Sequence, residues 1–63
     1  MIQIKENIFI NINQVSSIVL NEAVHSSKDT KIVHSIYMAN GMCYSLDATE
    51  ENMELINTIL GEN

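Results

Sequence analysis

The amino-acid sequence predicts an α+β fold, a small antiparallel β-meander of about five short strands covered on one face by a C-terminal α-helix. Three observations carry this expectation. Up to residue 46, short runs alternate apolar and polar side chains, the periodicity of half-buried strands. Asn40-Gly41 lies between two such runs and favours a hairpin turn, because both residues accept φ > 0 at little cost. From residue 48 onward the apolar spacing becomes that of a helix. A chain of 63 residues allows one domain, spanning 1–63.

Taken in order, MIQIK (1–5) and IFINI (8–12) alternate on either side of Glu6-Asn7 and predict a first hairpin, with Ile2, Ile4, Ile8 and Ile10 toward the core. The polar stretch 11–17 breaks the alternation. Its Ile12 and Val15 stand three apart, as in one helical turn that tucks both side chains under a sheet. A third strand is expected over 18–24, with Ile18 and Leu20 inward and Val19 outward. The polar segment HSSKDTK (25–31) then forms a loop, a plausible fingertip for a partner. Strands over 31–38 and 42–46 make the second hairpin. Asp47 is the expected cap of a helix over 48–60, with Glu50 at capping-box spacing. Ala48, Asn52, Met53, Leu55, Ile56, Ile59 and Leu60 fall on one arc of that helix.

The register of the second hairpin follows from its side chains, since a slip of one residue exchanges the faces. A two-residue loop would mix apolar and polar groups on both sides. A three-residue loop, Ala39-Asn40-Gly41 with Gly41 left-handed, pairs Met38 with Met42 and Ile36 with Tyr44. It gathers Ile32, His34, Ile36, Met38, Met42, Tyr44 and Leu46 on the core face, and Lys31, Val33, Ser35, Tyr37, Cys43 and Ser45 on the other. The three-residue loop is therefore the expected one.

Composition narrows the function. The net charge is −5, and Lys5, Lys28 and Lys31 are the only strong cations, scattered and without arginine. Phosphate contacts need clustered Lys and Arg, so direct nucleic-acid binding is not expected. No apolar run approaches the ~18 residues of a membrane span, and the N-terminus lacks the pattern of a signal peptide, so a cytoplasmic protein is expected. Cys43 is the sole cysteine, and no C-x-x-C or H-x-x-x-H spacing occurs, so neither a disulfide nor a metal or other cofactor is expected to staple the domain. Small cores often gain stability from a partner, and a homodimer is the expected supplement.

The chemistry-bearing residues do not suggest an enzyme. His25 and His34 have no catalytic companion nearby in sequence, and His34, on the core face, reads as a hydrogen-bonded structural histidine. Cys43 reads as a small half-buried filler, and two glycines cannot build a phosphate cradle. A small metal-binding or thiol protein using His25, His34 and Cys43 is one alternative. Asp47, Glu50, Glu51, Glu54 and Glu62 include no basic neighbour, and Glu50, Glu51 and Glu54 make an acidic helix face that a basic protein surface would attract. The sheet face away from the helix collects Phe9, Val19, Val33, Tyr37, Ala39 and Cys43, the expected partner or dimer interface.

Phe9-Ile10-Asn11, then Val15 and Ile18, then Ile36 to Gly41 with Tyr44, is similar to the pattern of the small flagellar FlbD-type family. In those short proteins a phenylalanine and asparagine stretch and an asparagine-glycine hairpin precede an acidic helix. Ile12 stands where a proline commonly follows the asparagine. The resemblance, and the same plan in short phage and mobile-element proteins, implies a regulatory or accessory protein and carries no catalytic residue over. The function expected is a non-enzymatic module that binds, and regulates or inhibits, a larger protein. Size and charge suggest by analogy an anti-CRISPR-like inhibitor of host nucleic-acid machinery. A flagellar or assembly accessory protein is the other alternative.

Overall fold

A computed structural model of the chain describes residues 1–61. The fold is α+β, with strands β1 (Ile2–Lys5), β2 (Ile8–Ile10), β3 (Val15–His25), β4 (Thr30–Met38) and β5 (Cys43–Asp47), followed by helix α1 (Glu50–Gly61). All strand pairings are antiparallel. The strands divide into two sheets, a β1-β2 hairpin and a three-stranded sheet in the order β3-β4-β5.

The first hairpin turns at Glu6-Asn7, where Asn7 takes φ 64°, a left-handed conformation that asparagine tolerates better than most residues. Ile4 and Ile10 are buried, and Ile2 and Ile8 pack partly against the same cluster. A 3-10 turn (Ile12–Gln14) follows, capped by the Asn11 side chain, which accepts from the Asn13 N–H at 3.0 Å. Ile12 and Val15 pack under the sheet from this turn. It redirects the chain, so the first hairpin lies in a layer of its own. The Ala39 N–H, donating to the Gln14 carbonyl at 2.7 Å, ties the turn to the far hairpin.

The second hairpin has the three-residue loop. Met38 N–H donates to Met42 O at 2.8 Å, Gly41 N–H to Met38 O at 3.0 Å, and Gly41 takes φ 91°. Ile36 stands opposite Tyr44 and Tyr37 opposite Cys43. Ala39 thus belongs to the turn rather than to a sheet face.

β3 is longer than expected and twice bulged. Its register on β4 shifts between Val15 and Ser17 and again between Val19 and Glu22, where Leu20 and Asn21 together oppose His34. Asn21 takes φ 55°, and its N–H, turned out of the ladder, donates to Nδ1 of His34 at 3.2 Å. Each extra residue reverses the side-chain phase beyond it. In a regular strand Ile18, Leu20, Glu22 and Val24 would share the inner face. The bulge instead puts Glu22 opposite Val33 and Val24 opposite Lys31, on the outer face with Val19. Leu20, expected inward, is left 42% exposed.

Strands β3 and β4 also continue past β5, whose last pair is Val33 with Asp47. They close through a tight loop in which Ser26 and Asp29 exchange backbone and hydroxyl hydrogen bonds of 2.8–3.1 Å. The expected loop over 25–31 is therefore only residues 26–29, because His25 and Thr30 pair as strand residues.

Helix α1 and the first hairpin cover the same side of the three-stranded sheet. Ile56 and Ile59 from the helix and Ile4 and Ile10 from the hairpin meet Ile36, Met38 and Leu46. Each such side chain contributes about 1.5–3 kcal/mol of burial. The helix begins later than its sequence suggests. Thr49, not Asp47, is the cap, its Oγ1 accepting from Asn52 N–H at 3.1 Å and its carbonyl from Met53 N–H at 2.9 Å. Asp47 is committed to β5 by its pairing with Val33, so the chain is first free to turn two residues on. Ala48 precedes the helix, and Leu60, expected on the covered arc, is exposed.

The His34 ring, 2% exposed, is the acceptor that the second bulge requires. Replacing it by leucine keeps the site apolar but leaves the Asn21 N–H without its partner, a loss of about 1–3 kcal/mol. A urea unfolding series should show His34→Leu less stable than the parent by that amount. An equal or higher midpoint would show that the bulge does not depend on the imidazole.

Candidate functional site

The outer face of the three-stranded sheet is built by three rows, namely Ser17, Val19, Glu22 and Val24 on β3, Lys31, Val33, Ser35 and Tyr37 on β4, and Cys43, Ser45 and Asp47 on β5. Both covering elements lie on the opposite side, so the flanking rows stay open to water. Val19 is 39% and Val24 45% exposed, and Tyr37 is half-buried. The middle row sinks between its neighbours, with Val33 and Ser35 buried.

At the centre stands a carboxylate. Ser35 Oγ donates to Glu22 Oε1 at 2.5 Å, and the Tyr37 hydroxyl lies 3.4 Å from both carboxylate oxygens, a loose contact by hydroxyl standards. Glu22 is itself half-buried, yet no cation reaches it: among the described residues the one ion pair is Lys31 Nζ to Asp47 Oδ1 at 2.9 Å. The uncompensated charge is felt at Tyr37. The Glu22 carboxylate, followed by burial and by Cys43 on β5, pushes the Tyr37 hydroxyl above its ordinary 10.0, since a tyrosinate there would face a second negative charge.

Val19, Val33, Tyr37 and Cys43 all occupy this face as their sequence register requires. Phe9 does not. It pairs with Gln3 in the separate first hairpin, where it is 55% exposed, and it cannot join a β3-β4-β5 surface. Glu22 and Val24 were missed, because unbroken alternation assigns them to the core side. The available signal was Glu22 itself: a carboxylate in phase with Ile18 and Leu20, directly after an asparagine able to turn left-handed, marks a strand that must change phase.

The other candidates separate. Glu50, Glu51 and Glu54 are exposed on the helix, away from Ile56 and Ile59, and form no ion pair among the described residues. Glu62 lies outside the described residues. Asp47 leaves the acidic set, because Lys31 neutralises it. Lys31, by hydrogen bond and then by charge, holds the Asp47 carboxyl below its ordinary 3.8, with Lys5 adding to the effect. Both lysines, with Ser45 and Asn52, line an open groove of about 310 Å³ where β1 and β5 approach the start of the helix. His34 points inward, Cys43 outward, and His25 Nδ1 sits 3.0 Å from Thr30 Oγ1 at the end of β3. The three are not brought together, and no trio of His, Cys, Asp or Glu among the described residues could hold a metal ion. Among the described residues no helix is long and apolar enough to cross a membrane. No family model, curated protein or solved structure matches the chain.

Two titrations check these electrostatics. With Tyr44 replaced by phenylalanine, Tyr37 is the sole phenol, and Glu22→Gln should bring its spectrophotometric pKa back toward 10.0. Because the folded value is raised, the parent's contribution is complete below 10.0 and lost as pH rises through the folded value, and Glu22→Gln should lessen that alkaline loss. An unchanged titration would show that the carboxylate does not act on the phenol.

Asp47 behaves in the opposite sense. Its lowered value gives stability that is complete above 3.8 and lost as pH falls through the folded value. Acid unfolding followed by circular dichroism should show Lys31→Met below the parent above pH 3.8, with the two curves converging in stronger acid. Parallel curves would remove the ion pair from the account of acid stability.

Proposed function

We propose that the chain is a small, cytoplasmic, non-enzymatic protein-binding module that regulates or inhibits a larger partner, contacting it through the outer face of the three-stranded sheet. The observation that carries this reading is the exposure of Val19 and Val24 on the same face as half-buried Tyr37, a face from which the hairpin and the helix are both absent. An apolar surface of this kind, rimmed by polar groups, is the usual form of a protein-protein contact. The Cα radius of gyration, 11.8 Å against about 10.6 Å expected for a domain of this length, supports the same reading, because the β3-β4 ribbon projects beyond β5 and extends the surface.

The acidic helix face supplies attraction at longer range. With a net charge of −5 and Glu50, Glu51 and Glu54 in no ion pair among the described residues, the module suits a partner with a basic surface. An inhibitor of nucleic-acid machinery, encoded by a phage or mobile element and working in the manner of anti-CRISPR proteins, is the concrete form this takes, by analogy of size and charge. A second copy of the chain is the competing occupant, giving a homodimer.

The test begins with immobilised chain and an extract of the cells that carry its gene, continues with the purified retained protein, and includes light scattering of the free chain at micromolar concentration. Tyr37→Asp should abolish retention while Leu60→Asp, on the helix, should not. Glu50, Glu51 and Glu54 changed together to glutamine should fold normally but associate more slowly, with a weaker salt dependence. A chain that retains no protein and stays monomeric would refute the reading, and a dimer disrupted by Tyr37→Asp would replace the larger partner by a second copy.

A further inference from the structure

The character of the outer face is set by what Glu22 lacks. Its Oε1 accepts a short hydrogen bond from Ser35, but among the described residues Oε2 has only the loose Tyr37 contact, which leaves much of a carboxylate's acceptor capacity for a partner. A purely apolar partner laid over Val19 and Tyr37 would strip water from this charge and return nothing, which opposes binding. A partner that brings a cation would turn the same group into a source of specificity.

The chain does not supply that cation itself. Lys31 is paired with Asp47, Lys5 on β1 acts on the same carboxylate through its charge, Lys28 sits in the 26–29 loop, and there is no arginine. A second copy seated on this face would add another uncompensated carboxylate to one desolvated interface.

We propose that the outer face is the docking site of a basic protein, one of whose arginine or lysine side chains seats against Glu22 between Ser35 and Tyr37. The proposal rests on the protein-binding reading above and names its partner by chemistry. Ser35 orients the carboxylate from below, leaving Oε2 open to an N–H donor. The neighbouring Tyr37 ring suits a guanidinium in particular, which combines fork-like donors with a preference for aromatic surfaces. Val19 and Val24 supply the exposed apolar groups that exclude water once the partner is seated. The raised Tyr37 hydroxyl reports the field that an incoming cation would cancel.

The experiment uses the full chain, labelled with nitrogen-15, and two probes at low salt: N-acetyl-arginine amide and its neutral isostere N-acetyl-citrulline amide. The arginine probe should move the backbone amides of Glu22, Ser35 and Tyr37 saturably and lower the Tyr37 pKa in the Tyr44→Phe background. The citrulline probe should do neither. Glu22→Gln, which can still accept from Ser35, should weaken the arginine response at least about tenfold, as expected when a charge-assisted hydrogen bond becomes a neutral one. The Glu50, Glu51, Glu54 triple glutamine variant should leave that response in place. Equal responses to the two probes, retention of the response in Glu22→Gln, or arginine shifts confined to the helix would each overturn the proposal. The titration needs no partner protein, so its failure is distinct from a failure of protein binding: a retained protein released by Tyr37→Asp but not by Glu22→Gln would keep the module and discard the cation site.

Discussion

One part-buried hydrogen bond, from the Asn21 N–H to Nδ1 of His34, determines how the two faces of the sheet differ. At that point β3 carries one residue more than β4 can pair, and a backbone N–H is turned out of the ladder. An unsatisfied N–H in a part-buried position is costly, and a neutral imidazole directly opposite is one of few side chains able to accept from it. Accepting at Nδ1 places the ring proton on Nε2, so a single tautomer serves the fold. Because the bulge is stable, every residue of β3 beyond it reverses its direction. Glu22 then meets two hydroxyl groups at the surface instead of a cluster of isoleucines.

The second constraint is size. Among the described residues one hairpin and one helix are available to cover the three-stranded sheet, and both are used on the side of Ile36 and Leu46. The inner face becomes a closed core of aliphatic side chains, and the outer face is a single layer whose middle row is protected only by its own neighbours. Ser35 shows what this means locally: a polar side chain 1% exposed on an otherwise open face, hidden by the carboxylate it bonds.

Much of this was legible in the sequence where the determinants were local. The Asn40-Gly41 loop, the pairing of Ile36 with Tyr44 and the burial of Ile56 and Ile59 follow from turn chemistry and periodicity within a few residues. The assignment of Val19, Val33, Tyr37 and Cys43 to one face followed from the same register. What could not be read depended on distant partners. Phe9 leaves that face because the first hairpin packs on the sheet instead of pairing with it, a choice set by tertiary contacts of Ile4 and Ile10. Thr49 displaces Asp47 as helix cap because Asp47 is engaged by Val33 and Lys31 on another strand. Glu22 reaches the site only through a bulge whose acceptor lies 13 residues further along the chain.

The two bulges also decide how the molecule can meet other chains. β3 is an edge strand of 11 residues, and an unbroken edge of that length would offer a row of free N–H and C=O groups as a template for any extended segment. Here the regular stretches are Ser17 to Val19 and Glu22 to His25, so continuous pairing along the edge stops after four residues. A strand arriving from outside would lose register at Leu20-Asn21, where the backbone turns away from it. The chain is thereby guarded against edge-to-edge stacking into fibrils while its broad side stays open, and recognition is directed to side chains rather than to the backbone.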